Sequence, residues 1–63
     1  MTEKELLYFE DAVGHERNVI SIIEAGIKNL EDENLVSFMN GELAKHKETK
    51  QMLMALLEDK QNE

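Results

Sequence analysis

The chain has 63 residues, no cysteine and no proline, and a formal charge of −7 from 14 acidic against 7 basic side chains. That length builds one small domain with a marginal core, and the missing cysteines exclude both a disulfide framework and a thiolate zinc site. An acidic chain releases no counterions from a phosphate backbone and is repelled by an anionic bilayer, which argues against nucleic-acid and membrane partners.

The start TEKELLYFE carries a capping box, in which Thr2 accepts from the amide of Glu5 and the Glu5 side chain returns to the amide of Thr2. From there Leu6, Phe9, Val13, Glu16, Ile20, Ile23, Ile27 and Leu30 recur at alternating steps of three and four. This is a helix seam with a heptad period, and it predicts a helix over about 3–30. Its one charged member is Glu16. A turn is predicted at about 31–32, with Asp32 as the N-cap of a second helix and Glu33 near that helix's positive end. The second helix is predicted over about 33–58, with Leu35, Met39, Glu42, His46, Thr49, Leu53 and Leu56 in its stripe. A neighbouring stripe (Val36, Met39, Leu43, His46, Lys50, Leu53, Leu57) shares His46. The tail, 59–63, has no apolar residue and is expected to fray. No linker divides the chain, so 1–63 reads as a single helical-hairpin domain.

No apolar run is long enough to span a membrane, and no basic start followed by an apolar block marks a secretory signal. The expectation is a protein made inside the cell.

A short connection makes the two helices antiparallel. If the turn centres on Glu31, residues whose numbers sum to 62 lie level, which pairs Leu6 with Leu56, Phe9 with Leu53, and Ile23 with Met39. Val13 then meets Thr49, Ile20 meets Glu42, and Glu16 lies beside His46. Apolar residues remain outside both seams: Leu7, Ala12, Val19, Ile22 and Ala25 on the first helix, Phe38, Met52 and Met54 on the second. Two helices cannot cover them, so a symmetric homodimer forming a four-helix bundle is expected. Gly14, Gly26 and Gly41 each cost roughly 1 kcal/mol inside a helix, and close approach of the helices is their expected compensation.

A carboxylate between helices needs a partner or a proton. The primary reading of Glu16 and His46 is a structural pair that fixes register, with no cofactor. The alternative is a ferritin-like di-metal site, holding iron or another transition metal, with Glu16, Glu42 and His46 supplied twice by a dimer. The usual Glu-x-x-His spacing is not reproduced, because Leu43 stands three positions before His46. Residues four apart still share a helix face, so Glu42 and His46 keep a common side. A hemerythrin-like reading of GHERNV needs more histidines than the two present, and His15 reads as an exposed helix residue. No nucleophile–base pair and no glycine-rich phosphate loop is visible, so the chain reads as a non-enzyme without catalytic residues.

Taken together, TEKELLYFED, Glu16, DENL and AKHKET followed by LMALL resemble the small spore-coat-like proteins of spore-forming bacteria, related to the coat protein F family. That family's pattern is Thr-x-Lys-Glu-Leu, a Glu-Asp pair, a Glu five positions on, an Asp-Pro-Glu-Leu turn and an Ala-x-x-His in helix 2. Thr2, Lys4, Glu5, Leu6, Glu10, Asp11, Glu16, Asp32, Leu35 and His46 fill those positions, over almost the whole chain. Two positions depart from it: Glu33 stands for the turn proline, and Ala44 lies two before His46. The resemblance implies a ferritin-like fold and a structural role in the spore or its assembly, with other coat proteins as partners. A rival reading is a two-helix sporulation regulator, a phosphatase whose Ser-Gln-Glu-Leu-Asp signature falls on residues 40–44. Only Glu42 and Leu43 match it.

Overall fold

Thr2 opens the first helix from an extended backbone (φ −71°, ψ 161°). Its hydroxyl accepts from the Glu5 amide at 3.1 Å, and its own amide donates to the Glu5 carboxylate at 2.8 Å, so two orphan donors of the first turn are satisfied reciprocally. The computed structural model describes residues 1–61, which form two helices, α1 (Glu3–Ile27) and α2 (Glu33–Gln61), packed on each other as a hairpin.

Helix α1 stops three residues short of the predicted end at 30. The amides of Asn29 and Leu30 donate to the carbonyls three residues back, Gly26 and Ile27, at 3.0 and 3.2 Å. The Asn29 side-chain amide donates to the Ala25 carbonyl at 3.0 Å. These bonds tighten the last turn and satisfy carbonyls that a longer helix would have used, so the turn spans 28–32 rather than 31–32. Glycine at 26 weakens the helix just where this competition arises. The turn needs no left-handed residue, since none of the described residues has a positive φ.

Asp32 restarts the chain. Its carboxylate accepts from the amides of Asn34 and Leu35 at 2.8 and 3.1 Å, and the Val36 amide donates to the Asp32 carbonyl at 3.0 Å. Glu33 adds a carboxylate to the first turn, where the helix dipole favours it. Helix α2 then runs past the predicted end at 58 to Gln61. The segment 59–61 has no glycine or proline, and extending an existing helix with Asp, Lys and Gln costs little. Lys60 lies in the last turn, favourable for the dipole. The rest of the expected frayed tail, 62–63, lies outside the described residues.

The hairpin is a single layer, 47 × 14 × 11 Å. Val13, Ile20 and Ile23, all on the predicted seam of α1, are the buried hydrophobic residues among those described. On α2, the neighbouring stripe turns inward: Val36, Met39, Leu43, His46, Lys50, Leu53 and Leu57 are half-buried, while Leu35, Thr49 and Leu56 are exposed. The inward stripe brings Leu43 to α1 where the other would bring Glu42, which stays half-buried at the edge with its carboxylate on the Lys45 ammonium, and Lys50 can lie along the seam with its ammonium in water.

The three glycines do not mark close approach. A Cβ built on Gly14, Gly26 or Gly41 would meet nothing within 4 Å, so within the hairpin each faces open space.

Candidate functional site

Glu16 and His46 are carried to the helix interface by the same periodicity as the apolar residues around them. Each replaces one aliphatic on its stripe. The His46 Nδ1 lies 2.6 Å from the Glu16 Oε2, between residues thirty apart in sequence. Glu16 keeps 13% of its side chain exposed and His46 33%, so the pair is half-buried, with the histidine the wetter partner. An ionised carboxylate only accepts, so the proton of this bond sits on Nδ1, and a neutral ring then carries Nε2 unprotonated. Glu16 thereby gains the partner that a carboxylate at this depth requires.

Glu42, the third candidate ligand, is not drawn into the pair. Its half-buried carboxylate accepts from the exposed Lys45 ammonium at 3.4 Å, along its own helix. The structure thus brings together two of the three residues singled out as metal ligands. No group of three or more potential ligands is gathered among the described residues. One hairpin offers two converging donors, fewer than the three or four protein ligands that zinc and related centres use.

His15 is exposed, on the rim of an open groove of about 380 Å³ lined also by Tyr8, Asp11, Ala12, Glu16 and Leu53. A second groove, of about 320 Å³, lies toward the chain termini between Met1, with Glu5 and Phe9 of α1, and Leu56 and Lys60 of α2. Tyr8 stands edge-on to Phe9, with ring centroids 6.2 Å apart at 81°. The aromatic pair therefore joins the exposed surface to the helix interface.

One polar contact between the helices has no counterpart in the seam reading. Lys47 and Glu24 approach to 3.6 Å, each about half exposed. Neither lies on a seam, but both flank one on the same side of the hairpin, as the charged flanking positions of a coiled coil do. Exposure limits such a pair to about 0–1 kcal/mol.

The larger feature of the surface is apolar. Leu7, Tyr8, Ile22, Phe38 and Met52 are among the large hydrophobic side chains more than half exposed. No described helix is long and apolar enough to cross a membrane. Compared with protein-family models, with curated proteins and with solved structures, the chain matches none.

Proposed function

We propose that this chain is a non-enzymatic structural protein that acts by helix-bundle self-association, in the manner of the small spore coat proteins it resembles. One observation carries the reading. Val13, Ile20 and Ile23 are buried, while Tyr8, Ile22, Phe38 and Met52 stand 60–74% exposed on the same two helices. An apolar surface of that kind marks an interaction site, and in a symmetric homodimer each copy covers the other's. The Glu16–His46 bond supports the structural side of the proposal, because its two groups satisfy each other across the helices. Within this reading the pair sets which stripes meet, as polar seam residues do in coiled coils.

Two measurements test it. Sedimentation equilibrium at micromolar concentration should give twice the chain mass, with a melting temperature that rises with concentration. A chain that stays monomeric and cooperatively folded would remove the self-association reading. For the coat-like role, the protein should accumulate in sporulating cells and fractionate with purified spores. Abundance in vegetative cells with none in spores would count against it.

A further inference from the structure

We infer that the second copy docks on one particular side of the hairpin, the side on which Tyr8, Val19 and Ile22 of α1 lie beside Phe38, Met52 and Leu56 of α2. This inference rests on the self-association reading and assigns its surface.

The assignment begins with periodicity. Along α1, residues 8, 12, 15, 19 and 22 follow one edge, and all but His15 are apolar. Along α2, residues 38, 42, 45, 49, 52 and 56 follow one edge by steps of four and three, apolar at both ends and polar between. The Glu24–Lys47 pair joins the opposite flanks of the two helices, and two grooves set residues of one edge against the flank of the other, so these edges open to the same side of the hairpin. One groove sets Met1 and Glu5 beside Leu56, and the other sets Tyr8, Ala12 and His15 beside Leu53. The other side carries the Glu24–Lys47 ion pair, with both groups about half exposed. Leu7 is exposed too, but its neighbours at helical spacing are Gly14, Asn18 and Ser21, which do not extend it into an apolar surface.

Area identifies the occupant. One hairpin exposes 5025 Å². A compact protein of twice the 7.3 kDa chain mass exposes about 6,900 Å² in all, so two hairpins reach that value by burying roughly 3,000 Å² between them. That figure lies within the range of about 2,000–5,000 Å² found for obligate homodimers. A single layer 11 Å thick becomes a two-layer bundle by adding one more such layer, and a second copy supplies one of matching length. The polar middle of the face, with His15, Glu42 and Lys45, meets the same polar middle of the other copy about a central two-fold axis. Each copy carries −7, so salt should strengthen the association by screening their repulsion.

The test uses the full chain and its single tyrosine. Tyr8 is 74% exposed in one hairpin and lies on the assigned face. Acrylamide quenching of Tyr8 fluorescence should fall several-fold as concentration rises through the dimerisation midpoint measured by sedimentation. In parallel, Ile22→Glu and Met52→Glu should weaken the dimer at least about 100-fold, as a charge buried in an interface does. Leu7→Glu, on an exposed residue off the face, should leave it unchanged. A wild-type dimer whose Tyr8 stays as accessible as in the monomer overturns the face assignment and leaves self-association standing. So does a dimer broken by Leu7→Glu and untouched by Ile22→Glu. A wild-type chain that is monomeric at all concentrations overturns both. The tyrosine measurement needs no mutation, so it decides the question even if the variants unfold.

Discussion

His46 and Glu16 meet through a 2.6 Å contact at the middle of a mostly apolar helix interface, the histidine a third exposed and the glutamate mostly covered. Each stripe gives up one aliphatic position for this bond. Its geometry sets the expected energetics, because only one partner is close to fully desolvated.

Replacing His46 with alanine leaves the Glu16 carboxylate covered and without its donor. The expected loss is about 1–3 kcal/mol. It falls short of the ~3–5 kcal/mol typical of a fully buried broken pair, because water reaches the histidine site and can follow into it. The double replacement of Glu16 and His46 by leucine should recover most of the loss. A double-mutant cycle by urea denaturation measures the coupling directly. Additivity of the two single variants within about 0.3 kcal/mol would mean that the bond does not hold the helices in register.

Gly14 has no neighbour within 4 Å of a built Cβ and lies away from the proposed docking face. Gly14→Ala should therefore stabilise the chain by roughly 0.5–1 kcal/mol through helix propensity alone. The check is a higher denaturation midpoint with an unchanged urea slope. A loss of stability would point to a contact at Gly14 that one hairpin does not make.

The Asp32 carboxylate holds two amides of the first turn of α2. Asp32→Ala should cost about 1 kcal/mol, while Asp32→Ser should cost much less, since serine is an equally good cap. Thermal melts followed by circular dichroism distinguish the two. Equal losses would assign the effect to charge rather than to the cap bonds.

Glu5 gives the pH dependence that the structure supports. The Thr2 amide, which donates to its carboxylate at 2.8 Å, and then the Thr2 hydroxyl hold its carboxyl below the usual 4.5. A carboxylate with a depressed folded pKa adds stability above its unfolded value and loses it as pH falls through the folded one. The capping box should thus weaken only on acidification below about 4.5. An NMR titration of the Glu5 side chain, repeated after Thr2→Ala, should show the midpoint move part of the way toward 4.5, because the amide of residue 2 still donates to the carboxylate. An unmoved midpoint would show that the Thr2 hydroxyl is not a cause.

Metal content separates the structural pair from the di-metal alternative. The protein purified without added metal should carry no stoichiometric transition metal, and a chelator should leave its melting temperature unchanged. If about two ions per dimer are found and chelation destabilises the protein, Glu16, Glu42 and His46 become ligands, because bound metal adds its binding energy to folding.

Much of the hairpin could be read from residue order alone, because the signals involved are local or periodic. Thr2 and Glu5 cap α1 through contacts three residues apart, and Asp32 caps α2 in the same way. The three-and-four spacing of Val13, Ile20 and Ile23 names the buried side of α1, and the level of Glu16 against His46 follows from a short turn between antiparallel helices. Three features needed the tertiary structure. Two adjacent stripes of α2 are almost equally apolar, and periodicity cannot choose between them; packing against α1 does, covering Leu43, Lys50 and Leu57 and leaving Leu35, Thr49 and Leu56 exposed. The seam of α1 continues to Leu30, yet the helix stops at Ile27, because Asn29 bonds back to the last turn and competes with the ladder. The glycines suggested close packing, but the distance between two helices is set by the bulk of the side chains that meet across the interface. Residue order names those side chains without placing them, and here they leave Gly14, Gly26 and Gly41 facing open space.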